Sequence, residues 1–226
     1  MPMLSSLVVA ALSMSASIAG AQTTPATPPA LTDVYYVQFA KALPGQAAAL
    51  EKNLKQLNPK DPMASHYVLL RHQEGADWDY CLIQHVGQKA TVEITPPPAA
   101  AAGAPPTGAW HEDNYVAGPS WAEFQKAMDF TGAGNSVFVV GVHRPAPGHR
   151  MQLEEVLRRS DQASKAAGSL LLVHVQGSAW TFMTLDRYAS WQDFGAERAN
   201  AASGKGWLEV REHSSFHSDT IADRVR

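Results

Sequence analysis

The chain has 226 residues, of which 18 are basic and 21 acidic, giving a formal charge of −3. That near balance leaves no electrostatic footprint for nucleic acid or anionic lipid. Cys81 is the single cysteine, which excludes an intrachain disulfide and a cysteine-rich metal centre.

Residues 1–21, MPMLSSLVVAALSMSASIAGA, have the layout of an export signal, with an apolar core from Leu7 to Leu12 and a small-x-small cleavage site at Ala19-Gly20-Ala21. The apolar stretch is broken by Ser13, Ser15 and Ser17 and is too short to span a bilayer. The mature chain is therefore expected to be exported, periplasmic or secreted, with no membrane contact after cleavage. Residues 22–33, rich in Thr, Pro and Ala, read as a flexible leader.

A first unit is expected over 34–118. Residues 34–41 alternate, Tyr35, Val37 and Phe39 against Tyr36 and Gln38, which is the period of a half-buried strand. Pro44-Gly45 opens a helix in which Leu50, Leu54 and Leu57 recur at helical spacing. Two strands, 66–73 and 78–86, follow around a turn at Gly75. A short, poor helix is expected near Gly87–Ile94, and the Pro/Ala-rich segment 96–106 reads as an extended loop. A strand carrying His111-x-Asp113 ends the unit. Residues 119–135 read as a linking helix, the alternative being the unit's own second helix displaced by the insertion.

The pattern then recurs over 136–226. An offset of 103 pairs Val37 with Val140, Pro44-Gly45 with Pro147-Gly148 and Leu50-Glu51 with Leu153-Glu154. An offset of 102 pairs His72, Gly75 and Trp78 with His174, Gly177 and Trp180, and one of 106 pairs His111 and Asp113 with His217 and Asp219. Three blocks in the same order with nearly constant offsets point to duplication. In the second copy, strands are expected at 169–175 and 179–187. A helix then starts at SWQDF, with Ser190 as N-cap and Asp193 as its capping-box partner, before the strand carrying His217-x-Asp219. The implied fold class is α+β, with two tandem ferredoxin-like β-α-β-β-α-β units forming one pseudo-symmetric α/β barrel.

Two such units in one chain resemble the dimeric α/β-barrel superfamily in fused, exported form. The resemblance implies two four-stranded sheets meeting edge to edge, with helices covering one sheet face and the other lining a cavity. On that basis Tyr35, Val37 and Phe39 should face the helices, and Tyr36, Gln38, Val139, Gly141 and His143 the cavity. The superfamily includes cofactor-free monooxygenases, haem-degrading enzymes, chlorite dismutase-like haem proteins and members without known activity, so fold alone does not choose a function.

The two His-x-Asp pairs are the sharpest chemical feature. Residues two apart on a strand share a face about 6.5–7 Å apart, so His111 with Asp113, and His217 with Asp219, can set an imidazole beside a carboxylate as a general base. These four are the candidate catalytic residues, with polar anchoring at strand edges as the plainer reading. His72, His174, Trp78, Trp180, Tyr36 and His143 are the candidate ligand-binding residues. Hairpin hydrogen bonding for the two His and packing for the two Trp are their plainer readings. Haem ligation by His72, His174, His143 or His85 stays open, no cofactor is assigned, and no metal site is assigned. Cys81 reads as a small apolar core position. The functional expectation is a small apolar molecule bound in the barrel cavity, with monooxygenase-like chemistry. A non-catalytic binding or structural protein, a haem protein and a homo-oligomer remain open, and nucleic acid is not an expected partner.

Overall fold

The computed structural model describes residues 30–56, 65–94, 106–129, 135–159, 164–201 and 205–225. The expected signal segment, most of the leader and nearly all of the Pro/Ala-rich loop lie outside the described residues. In chain order the elements are β1 (Asp33–Ala42), α1 (Ala47–Lys55), β2 (Tyr67–Glu74), β3 (Tyr80–Gln88), β4 (Gly108–Gly118) and α2 (Trp121–Met128). They continue as β5 (Val137–Pro145), α3 (Arg150–Arg158), β6 (Gly168–Gln176), β7 (Phe182–Tyr188), α4 (Trp191–Ala201), α5 (Lys205–His213) and β8 (Ser214–Arg224). The eight strands, all paired antiparallel, close into a barrel in the order β1-β3-β2-β8-β5-β7-β6-β4. The architecture is α+β. The helix expected near Gly87–Ile94 does not form: residues 89–91 turn and 92–94 are irregular. SWQDF opens α4 as read, with Ser190 Oγ accepting from the Asp193 amide at 3.1 Å. A further helix, α5, takes residues 205–213 and leads directly into β8.

Every strand gives side chains to one apolar interior, among them Val37, Val68, Ile83, Val116, Val140, Leu172, Met183 and Ala222. Each such side chain, taken from water, is worth about 1.5–3 kcal/mol for the larger aliphatics. Tyr35, Val37 and Phe39 belong to this interior, the reverse of the expected orientation. Tyr36 instead packs outside with Leu50 and Leu54 of α1, and Val139 outside with Phe194 of α4. Alternation sets a strand's period but carries no sign. Closing eight strands demands that the largest apolar set fill the inside. Trp78 and Trp180 also face inward with Cys81 and Met183, whereas Tyr80, Leu82 and Phe182 pack outside. Both Trp precede the regular strand and so lie out of phase with Tyr80 and Phe182. Cys81 is fully buried, and burial pushes its thiol well above the ordinary range.

Helix α2 lies across one mouth of this interior, with Phe124 stacked on Tyr35 at 4.9 Å. Its N-terminus carries a complete capping box of Ser120 and Glu123. The buried Asp33 carboxylate, reaching in from β1, also accepts from the Trp121 amide at 3.0 Å. At the other end Arg187 of β7 donates to the Ala127 carbonyl at 3.1 Å. An anion at the N-terminus and a cation at the C-terminus complement the helix dipole, so one charge on each half of the barrel holds the plug.

The halves meet along β2–β8 and β4–β6. Gly75 turns the β2–β3 hairpin at φ +127, and an added Cβ would lie 2.5 Å from the Asp219 carbonyl oxygen of β8. Gly177 does the same from the other side, at φ +127 and 2.5 Å from the Asp113 carbonyl oxygen of β4. The next residues bond across each seam: the Ala76 amide donates to Thr220 Oγ1 at 3.1 Å, and the Ser178 amide to Asn114 Oδ1 at 2.9 Å. Gly75→Ala or Gly177→Ala should each lower the unfolding free energy by about 3 kcal/mol, the sum of positive-φ strain and a backbone clash. Gly148→Ala, at φ +82 with open space around it, should cost only the strain, about 1 kcal/mol. Urea denaturation of the three variants checks the ordering.

Candidate functional site

The polar side chains gather mainly on the outer strand faces. In the first half, Asp113 of β4 is engaged by its own neighbours. One oxygen, Oδ1, accepts from Tyr36 Oη at 2.6 Å and Gln38 Nε2 at 3.0 Å, and His111 Nδ1 lies 3.1 Å away. Burial, then the Asp113 bond, pushes the Tyr36 hydroxyl far up, so it stays a donor. The His111 side chain is 61% exposed.

The second half is built differently at the same positions. Tyr36 and Gln38 are matched by Val139 and Gly141, which remove both donors. Gly141 lets Thr184 Oγ1, His143 Nε2 and Asp219 Oδ1 converge where a side chain would stand, at 2.4, 2.9 and 3.0 Å from an ideal Cβ. His217 Nε2 lies 2.8 Å from Asp219 Oδ1, and the two side chains are only 15% and 28% exposed. The His217 ring stacks face to face on His143, with centroids 4.7 Å apart at 12°. His143 is 3% exposed, and its Nε2 is 3.1 Å from Thr184 Oγ1. Among the described residues its Nδ1 meets no hydrogen-bond partner. Arg198 of α4 reaches Asp219 Oδ2 at 3.5 Å from above.

The electrostatics follow from burial and neighbours. Burial, then the adjacent His217, lowers His143 to about 4, so it is neutral at physiological pH. Burial alone would raise Asp219, but the His217 bond and charge, with Arg198, bring it below its ordinary value. Burial raises Asp186, next along β7, to about 6 against the Ser169 bond that favours its anion.

The structure therefore brings His143, His217 and Asp219 together and holds Tyr36 against Asp113. His72, His174, Trp78 and Trp180 stand apart from them on the opposite, interior face. His72 meets Trp78 edge-on with ring centroids 5.6 Å apart, His174 lies tilted against Trp180 at 4.8 Å, and both Trp pack on Phe39. Each His amide closes its hairpin, His72 to the Asp79 carbonyl and His174 to the Thr181 carbonyl.

Thr184, Asp186 and Arg198 carried no motif, since single polar residues on β7 and α4 signal nothing until the strands pair. The buried Asp33–His85 pair, 2.8 Å apart with His66 Nδ1 3.3 Å from His85 Nδ1, was equally hidden. It lies under Trp121, whose indole stacks on both imidazoles, and belongs to the α2 clamp.

Two His and a carboxylate are a familiar ligand composition for iron, but His143 and His217 are stacked and do not converge. No three His, Cys, Asp or Glu side chains group as metal ligands among the described residues. Haem does not fit His72 or His174 as arranged, because each ring is edged by a packed Trp and the interior behind is filled with side chains.

No family model matches the chain, and no curated protein matches it. A solved structure does. It is of a protein from Lactobacillus acidophilus NCFM described as a "putative monooxygenase", with a TM-score of 0.51 and 8% identity over 85% of this chain and 94% of that one. At that identity the likeness shows a shared α+β barrel fold and nothing of activity.

The pH dependence of stability should separate the two buried groups. Folded His143 resists the proton that an unfolded His accepts, so its contribution is lost as pH falls from 6.5 to about 4. Asp186 works the other way, keeping a proton that the unfolded chain releases, so stability is lost as pH rises from 3.8 to about 6. Wild-type urea midpoints should thus vary little between these limits. Those of His143→Phe should fall with rising pH, and those of Asp186→Asn should climb.

Proposed function

We propose that this chain is an exported, fused two-unit α+β-barrel protein that binds a small, largely apolar molecule and acts on it with monooxygenase-like chemistry. The proposed centre is His217–Asp219 on the outer face of the second half. The carrying observation is the asymmetry of the two His-x-Asp pairs. Asp113 Oδ1 already accepts from Tyr36 and Gln38, and His111 stands in water. His217 is sheltered and lies against Asp219 with the buried His143 beneath it. His111 and Asp113 are then structural. The reaction class is taken from the description of the Lactobacillus acidophilus protein as a "putative monooxygenase", whose fold this chain shares.

Asp219 orients His217, His143 forms an uncharged floor, and the His217 bond, with Arg198, keeps Asp219 ionised. His217 accepts a proton from an activated C–H of the bound molecule. The carbanion's own electrons reduce dioxygen, so a CH₂ group plus O₂ becomes a carbonyl plus water without an external reductant.

Dissolved-oxygen uptake with a panel of apolar aromatic ketones carrying an acidic methylene tests this. Asp219→Asn and His217→Ala should each cost about 10²–10⁴-fold in rate, while His111→Ala leaves it unchanged. Uptake that survives both second-half variants, or falls equally in His111→Ala, would sink the assignment.

A further inference from the structure

We propose that His149 and His213 form a two-imidazole site for a divalent transition-metal cation of the copper(II) or nickel(II) type, its remaining positions filled by water. The pair joins the start of α3 to the end of α5 and shares no residue with the His217–Asp219 centre. The inference is therefore independent of the proton-transfer reading.

The two rings meet on a backbone frame that the chain builds twice. In the first half the Leu43 amide donates to the Thr107 carbonyl at 2.9 Å, and the Gln46 amide to the Leu43 carbonyl at 2.9 Å. In the second half the Ala146 amide donates to the His213 carbonyl at 2.8 Å, and the His149 amide to the Ala146 carbonyl at 2.9 Å. Residues 46 and 107 thus match 149 and 213, and only the second half carries an imidazole at both. The Nδ1 atoms of His149 and His213 are 3.0 Å apart, with ring centroids at 5.2 Å and planes at 48°. His149 is the N-cap of α3, where a polar side chain ordinarily accepts from the first turn, yet its ring makes no cap bond.

Other imidazole pairs are committed elsewhere. His85 is tied to the buried Asp33 and lies with His66 under Trp121, while His217 is held by Asp219 with its ring flat on His143. The His149 and His213 rings are half-buried at the surface and meet no carboxylate among the described residues. The nearby guanidinium groups are held over aromatic rings, Arg144 over Phe216, Arg150 over Phe182 and Arg211 over Trp207.

The class of cation follows from the spacing. Without metal, one ring donates its Nδ1 proton to the other. With a cation bound, both rings carry their proton on Nε2 and give the ion both Nδ1 lone pairs. For imidazole–metal bonds of about 2.0–2.1 Å, nitrogens 3.0 Å apart subtend about 95° at the ion. Such an ion stands about 1.4 Å off the line between the nitrogens, so the rings turn toward it without moving apart. A near-right angle suits a tetragonal ion better than a tetrahedral one, and copper(II) binds nitrogen sites of this kind tightest.

The test is titration of the metal-free full chain with Cu²⁺, followed by electron paramagnetic resonance. The first Cu²⁺ taken up should show a tetragonal spectrum with hyperfine coupling to two imidazole nitrogens. His149→Gln and His213→Thr install the residues that the first half already carries, so both variants should fold. Each should weaken Cu²⁺ binding about a hundredfold, while His111→Ala, at an exposed imidazole, leaves it unchanged. Should either variant fail to fold, paramagnetic broadening in the wild-type protein decides: the ring resonances of His149 and His213 should disappear before that of His111. No uptake of Cu²⁺, coupling to fewer than two nitrogens, affinity kept by either variant, or first broadening at another His would each overturn the proposal.

Discussion

The structure depends on the close approach of two hairpin turns to the strands of the opposite half. Only with Gly75 against Asp219 and Gly177 against Asp113 can β2 lie beside β8 and β6 beside β4. Those two pairings convert two sheets into one closed cylinder without free edges. The amides of Ala76 and Ser178 then find Thr220 and Asn114, so backbone polarity at the seam is satisfied where the chains pass closest. A Cβ at either turn forces the seam apart.

Closure also decides where polar chemistry resides. A cylinder of eight strands has a small interior, and here it is filled with aliphatic and aromatic side chains from every strand, plus Phe124 and Met128 of α2. Clusters of imidazole and carboxylate are therefore displaced to the outer faces or to the mouths. On the outer face the halves diverge. Tyr36 and Gln38 donate to the first carboxylate, whereas Val139 and Gly141 leave the second to His217 and Arg198. The helices reinforce this difference: α4 carries Phe194 and Arg198 over the second half, and α5 packs against α3.

Much of this organisation was legible in the residues. The repeated Pro-Gly, the strand periods, the Ser190 cap and the helical leucines are local signals, set by φ/ψ preference and side-chain spacing within a few residues. The His-x-Asp pairs were legible for the same reason, because a strand places i and i+2 on one face whatever lies around it. The orientation of those faces was not legible. Tyr35, Val37 and Phe39 form as good an outer face as an inner one until the strands close. The inward direction of Trp78 and Trp180 was not legible either, because the turn before each strand shifts their phase. Thr184, Asp186 and Arg198 join the site only through pairing between β5, β7 and β8.

The sequence by itself determined the strand and helix periods, the glycine at each hairpin and the pairing of each imidazole with its own carboxylate, because these follow from neighbours along the chain. Tertiary structure alone decided which face turned inward, in which pair the carboxylate met further donors and in which the imidazole was sheltered, and where His143 came to rest. Those outcomes are set by burial and by contacts between residues far apart in sequence. A hydrogen bond from Tyr36 to Asp113 or a ring stack of His143 on His217 exists only after the barrel has closed.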